Sequence, residues 1–371
     1  MNNKKFTAVA AGILALVWLV LCGFVWLTPA KEVSASERRP LAQMPEFSLE
    51  SFMDGSFKTS FEEYLQDQFP YRDQFRQLKG TLFTFLLNQK SDSNGMFYMD
   101  GHLSQHSTAF NEEQFQQRMD VLNWVYNKYI ANANANVYVS VIPDKNYYLA
   151  QKNNFPVMDY NHIFTQVQQQ MSWGEYIDMT GVLNLDCFYT TDTHWRQEAI
   201  LPVAQLLCQQ MGVAGPKAED YTAEKIDMPF YGVWYGKAGL PVAADELNIL
   251  RSDLLDSLTI EVVGERETPV YDHSQLGSSD PYNIFLSGAK KGMVRITNPN
   301  AATDKTLVIF RDSFGSSIAP LFVQDYETVV LVDLRATSRM ALQRYSDDFQ
   351  NADVLFLLSA LVLNNPSEAF R

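Results

Sequence analysis

The spacing of apolar positions changes several times along the chain, and each change predicts an element. From Phe6 to Leu27 the run FTAVAAGILALVWLVLCGFVWL carries no charge. It has the ~20-residue length that a bilayer core demands of a helix, and predicts a transmembrane anchor over 6–28 behind a short tail, 1–5. Thr28 to Met44 is polar and charged, with Pro29 and Pro40, and reads as an exposed tether. Between Asp54 and Asn88, Phe57, Phe61, Tyr64 and Leu65, then Phe75, Leu78, Leu82, Phe85 and Leu86 recur at helical spacing. Pro70 should divide that stretch into two helices, because it lacks an N–H and its ring clashes with the preceding turn. A further helix is predicted over Asn111 to Ile130, with Phe115, Met119, Leu122, Val125 and Tyr126 on one face.

The pattern then shifts to short, continuous apolar runs rich in β-branched residues: Val137 to Ile142, Thr306 to Phe310, Thr328 to Val332 and Asp353 to Leu358. Segments long enough for crossover helices, such as Ser316 to Val323, separate the last three. Strands apolar on both faces and alternating with helices predict an α/β fold with a mostly parallel sheet flanked by helices. Gly212 to Asn300 is irregular, with Gly, Pro and Asp scattered through it, and reads as insertions or an added β-rich layer. The predicted organisation is an anchor at 6–28, a tether and helical stem at 29–90, and an α/β domain at 91–371 with insertions around 212–300.

Charge and cysteines narrow the function. A net charge of −14, from 43 acidic and 29 basic residues, argues against a nucleic-acid partner held by a basic surface. Lys4 and Lys5 precede the apolar run and the acidic bulk follows it, which orients the N-terminus to the cytoplasm and the folded part outside. The alternative is a signal peptide cleaved near Ser34-Ala35-Ser36. Cys22 lies inside the anchor without the small preceding residue that lipoprotein processing wants. Cys187 and Cys208 match no zinc or redox spacing, and their pairing is left open.

Candidate chemistry clusters at strand ends. The strand Thr306 to Phe310 runs into Arg311-Asp312-Ser313-Phe314-Gly315, which puts Ser313 at a strand-to-helix turn on the carboxyl edge of the sheet. A serine that only caps the following helix fits the same position. Thr190-Thr191-Asp192-Thr193-His194-Trp195 supplies a base. In an extended segment residues two apart face one side, so Asp192 could orient His194, and a structural Asp/His pair is the alternative. Arg335 follows the strand Thr328 to Val332 and should emerge at the same edge as Ser313, there to bind substrate, stabilise an oxyanion or simply be solvated. Asp272-His273 lacks further metal-ligand neighbours, and His102, His106 and His162 stand alone, so no metal site is expected. Without Gly-x-Gly-x-x-Gly, a Walker loop or Gly-x-Ser-x-Gly, the chain implies no nucleotide cofactor and no ordinary α/β-hydrolase elbow.

These segments also occur in a familiar order. Glu37-Arg38-Arg39-Pro40-Leu41, Asp67-Gln68-Phe69-Pro70-Tyr71-Arg72, Ile142-Pro143-Asp144-Lys145-Asn146, Asp192 to Trp195, Tyr271-Asp272-His273, Arg311-Asp312-Ser313-Phe314 and Asp333-Leu334-Arg335 resemble the bacterial DHHW family. That family is similar to the SGNH-hydrolase-like proteins that O-acetylate alginate and other exopolysaccharides. The resemblance implies an SGNH-hydrolase-like fold with Ser313 as nucleophile, His194 as base, Asp192 as its orienting acid and Arg335 near the serine. It also implies a polysaccharide substrate and a multi-spanning membrane acyltransferase as partner. Two departures stand out: Thr193 replaces the first histidine of the name motif, and Arg311 stands where SGNH hydrolases have glycine. Gly232, Gly236 and Asn364 are candidates for the oxyanion blocks. An acetyl esterase of the same fold, and a catalytically silent polysaccharide binder using Trp173, Trp234 and Tyr235 as stacking platforms, are the competing readings.

Overall fold

The structure, a computed structural model, describes residues 3–34, 36–87, 91–92, 95–106, 109–154, 156–262, 267–289, 292–365 and 370. Contacts divide the chain into two units, Met1–Asp92 with Tyr235–Val242, and Ser93–Trp234 with Ala243–Arg371.

In the first unit the apolar run forms a helix over Asn3–Leu27, starting three residues earlier than its uncharged stretch requires. Among the described residues no helix is long and apolar enough to cross a membrane. The stem helices cover Ser56–Asp67 and Arg72–Thr81, with Pro70 between them. Asp67 and Arg72 of these helices form an ion-pair cluster with Arg39 and Glu37 of the preceding tether. Arg39 grips Asp67 through two bonds of 2.8 and 2.5 Å, and Arg72 reaches Glu37 at 2.5 Å. The Arg39 hydrogen bonds hold the Asp67 carboxyl down at about 2, below the usual carboxylate range.

The second unit is built on an eight-stranded sheet. Its strands, in chain order, are β1 (Asn136–Ile142), β2 (Glu175–Tyr176), β3 (Thr259–Val262), β4 (Glu267–Pro269), β5 (Met293–Thr297), β6 (Thr303–Arg311), β7 (Tyr326–Val332) and β8 (Asp353–Ser359). Across the sheet the order is β4-β3-β5-β7-β6-β8-β1-β2. The five strands from β7 to β2 are parallel, and β5, β3 and β4 extend one edge antiparallel. The irregular region therefore does add β structure: this antiparallel edge, and a separate hairpin of Thr222–Phe230 with Asp245–Arg251.

Register explains the continuous apolar runs. Val137, Val354, Val308 and Val330 form one row across the parallel strands, facing a core layer that includes Phe115, Met119, Leu122, Ile163 and Val167. The next row, Tyr138, Leu355, Ile309 and Leu331, faces the opposite layer with Trp195, Val203, Leu207 and Phe322. With both faces covered, alternation disappears from the sequence, as expected of buried parallel strands. Parallel direction also brings the ends of β1, β8, β6 and β7 to one edge.

Candidate active site

At that edge β6 ends at Arg311, and Asp312 turns the chain. Its Oδ1 accepts the Phe314 N–H at 3.0 Å and its Oδ2 accepts the Ser359 N–H at 2.8 Å. The aspartate thus staples the serine turn to the end of β8, and Ser313 is left half-buried at the tip. The helix that follows is shorter than its apolar pattern suggests. It spans Gly315–Ile318 and passes into a 3-10 turn at Ala319–Phe322, where Pro320 has no N–H to continue it. The dipole of so short a helix contributes little to anion binding at Ser313.

Asp192 and His194 do come together, by a different route from strand alternation. They sit in the tight bend of a hairpin closed by the Phe188–Trp195 bridge. Asp192 Oδ1 accepts the backbone N–H of His194 at 3.0 Å and lies 2.5 Å from its Nδ1. Asp192 Oδ2 accepts the Val233 N–H at 2.8 Å. The other ring nitrogen, His194 Nε2, is 2.7 Å from Ser313 Oγ. With Nδ1–H donated to the carboxylate, Nε2 is left with a lone pair aimed at the hydroxyl, the arrangement a proton transfer requires.

Tyr282 and Ser317, which no motif singled out, fix the imidazole together with Trp195. Tyr282 stacks on it with ring centroids 3.9 Å apart and planes 8° from parallel. The Tyr282 O–H donates to Ser317 Oγ at 2.8 Å, and Trp195 Nε1 donates to the same oxygen at 2.9 Å. Burial holds the Tyr282 phenol protonated far above its ordinary range. Gln197 locks the next layer, donating to Ser317 O at 2.8 Å and accepting from Leu250 N at 2.8 Å. The signal in the sequence was a tyrosine in an irregular loop, which has no period to mark it.

Arg335 emerges at the predicted edge, since Phe310 of β6 pairs with Val332 of β7. Its guanidinium grips Asp333 through Nε at 2.9 Å and Nη2 at 2.7 Å. Asp333 also faces the fully buried Arg311, 3.9 Å away. Arg311 folds back over Gly315, where a Cβ would come within 2.6 Å of the Arg311 Cβ.

Other candidates take structural roles. The Asn364 side-chain amide donates to Ala109 O at 3.0 Å and accepts from Asn111 N at 2.7 Å, so it fixes a loop. Gly236 belongs to the other unit. Gly232 packs directly on the Asp192 backbone and donates to Thr191 Oγ1 at 2.9 Å. Asp272 caps a turn, accepting from Ser274 Oγ and Ser287 Oγ. Burial pushes its pKa up, and these hydrogen bonds outweigh it and leave the carboxyl lowered. Trp173 is half-buried and stacked on Tyr126 at 4.1 Å. Cys187 and Cys208 are buried and unpaired.

No family model and no curated protein matches this chain. Solved structures do. A DHHW family protein from Eubacterium siraeum is 18% identical with a TM-score of 0.62, over 76% of this chain and 95% of that one. Bacillus cereus PatB1 with a sulfonyl adduct is 17% identical with a TM-score of 0.60, over 74% and 98%. The O-acetyltransferase domain of Pseudomonas putida AlgJ aligns more loosely, at 14% identity and a TM-score of 0.42 over 74% of this chain and 95% of that one. The fold of this chain is thus similar to that of a DHHW family protein and of PatB1.

Proposed function

We propose that this protein is a membrane-tethered O-acetyltransferase that works outside the cytoplasm on hydroxyls of a cell-surface polysaccharide. The observation that carries the reading is the 2.7 Å approach of His194 Nε2 to Ser313 Oγ, with Nδ1 held by Asp192. Ser313 Oγ would attack an acetyl carbonyl while His194 takes its proton and returns it to the leaving donor. A sugar hydroxyl would then attack the acetyl-serine, give its proton to His194 and restore the serine. The ordered motif resemblance supports acetyl transfer as the chemistry, on a fold similar to that of a DHHW family protein and of PatB1. Arg335 is assigned to the substrate side of the serine.

The tether rests on the 25-residue helix Asn3–Leu27, whose Phe6, Ile13, Leu16, Trp18, Leu19 and Leu27 side chains are all exposed. In water that surface has no partner, whereas lipid would cover it. Such an anchor concentrates the domain near a multi-spanning acyltransferase able to deliver acetyl groups across the bilayer.

The test is covalent labelling of the full chain in detergent with a sulfonyl fluoride and, in a separate unlabelled sample, incubation with an activated aryl acetate and an oligosaccharide acceptor. A single adduct on Ser313, and acetyl appearing on the sugar faster than as free acetate, is the expected result. Acetate release alone would make the protein an esterase, and no adduct on folded protein would make it a silent binder.

A further inference from the structure

The Asp192–His194 bend is held from behind by two charges of opposite sign. All four backbone polar groups of Thr190 and Thr191 are engaged. The Thr190 and Thr191 N–H groups donate to the two oxygens of Asp245 at 2.6 and 2.7 Å, and Thr191 Oγ1 adds a third bond at 2.5 Å. Thr190 O accepts from Leu103 N at 2.9 Å, and Thr191 O from Trp234 N at 3.0 Å. Lys145, fully buried, donates through Nζ to Tyr189 O at 2.9 Å and Thr190 O at 3.1 Å. The Thr190 residue thus lies with its carbonyl toward an ammonium and its N–H toward a carboxylate, and Asp192 comes two residues later.

Burying an ammonium costs several kcal/mol unless nearby groups compensate. At this position a methionine would fill the same space without that cost, so the charge calls for a reason beyond packing. Lys145 opens the helix Lys145–Asn153 at the end of β1, on the same edge as Ser313. Burial pulls its pKa down to about 7 against the carboxylates of Asp192, Asp245 and Asp144.

We propose that Lys145 and Asp245 are positioning residues that hold the Asp192–His194 bend from two sides and, through their opposite charges, set how readily His194 takes the Ser313 proton. This rests on the reading of Ser313 and His194 given above. Lys145 favours the Asp192 carboxylate and disfavours an imidazolium, and Asp245 does the reverse. Among the described residues, the other charged or titratable groups around His194 include Asp192 beside it, Asp312 at the serine turn, Tyr282 on its face, Tyr189 packed on Tyr282, Asp280 and Arg311 near Tyr282, and His102 behind the bend. Burial holds His102 down at about 4, so it stays neutral over the range that matters.

The experiment follows the rate of Ser313 sulfonylation against pH in the full-length protein, comparing wild type with Lys145→Met and Asp245→Asn. The acid limb is read below the Lys145 pKa of about 7. Each variant should lose about 10- to 100-fold in plateau rate, up to the cost of a ~1 Å displacement of a catalytic group. Removing the cation should move the acid-limb midpoint up, and removing the anion should move it down, each by about half a unit to one unit. A purely structural role would lower the rates without shifting the midpoints in opposite directions. If Lys145→Met does not fold, the downward shift in Asp245→Asn and recovery of Lys145→Ala by added ethylammonium carry the test. Midpoints that stay in place or move together overturn the proposal. Labelling that persists in Ser313→Ala would instead sink the functional reading itself.

Discussion

His194 Nε2 and Ser313 Oγ lie 2.7 Å apart across 119 residues of sequence. The link depends on two independent fixings, one at each end. Asp312 staples the serine turn to Ser359, and Tyr282 with Asp192 fixes the ring. A hydroxyl and an imidazole this close with a carboxylate behind them form a proton-transfer chain, and most of the expected outcomes follow from its supports.

Removing any member should stop the chemistry without unfolding the protein. Ser313→Ala and His194→Ala are expected to lose about 10³-fold or more in acyl transfer, and Asp192→Asn about 10²–10⁴-fold. Single-turnover acetylation of each variant, with circular dichroism as the folding control, measures this.

Ser317 should matter more than its size suggests. Ser317→Ala removes the acceptor of the buried Tyr282 O–H, and an orphaned buried donor costs about 1–3 kcal/mol. Tyr282→Phe removes that donor while keeping the ring on His194. The double variant should therefore be less destabilised than the sum of the two single ones, as read by urea denaturation.

Gly315→Ala pits two effects against each other. Helix propensity alone favours alanine by about 1 kcal/mol. The added Cβ, however, would meet Arg311 Cβ at 2.6 Å and Cγ at 2.9 Å, and that side chain is fully buried with nowhere to swing. Overpacking should win, with a loss of about 1–3 kcal/mol and slower labelling of Ser313. A gain in melting temperature would show that the turn has room to relax.

Acid should loosen the stem. The Asp67 pKa is held at about 2 by Arg39, below the ordinary ~3.9. A depressed carboxylate stabilises the fold above its unfolded pKa, and that contribution is lost as pH falls from ~4 through the folded value. Amide-exchange protection at Ala42, whose N–H donates to Asp67 Oδ2 at 2.9 Å, should drop over that window and show no such step in Asp67→Asn.

Topology can be read in intact cells. A cysteine replacing the exposed Lys58 should react with a membrane-impermeant maleimide added outside, and one replacing Asn3 should not. The opposite pattern would reverse the proposed orientation.

Local pattern by itself determined much of this molecule. The strand cores, the break at Pro70, the helix expected over Asn111 to Ile130, which forms as an α-helix at Glu112–Val125 and a π-helical turn at Tyr126–Ile130, and the position of Ser313 at the end of β6 all follow from periodicity and chain stiffness, which act over a few residues. The ordered motifs named Ser313, His194 and Asp192. Only the tertiary structure decided which way the imidazole points, that Tyr282 lies on its face, that Asn364 serves a loop, and that Lys145 and Asp245 stand behind the bend. Those relations join segments tens to hundreds of residues apart in irregular chain. No period constrains such residues, and their contacts exist only once the sheet has set the edge on which they meet.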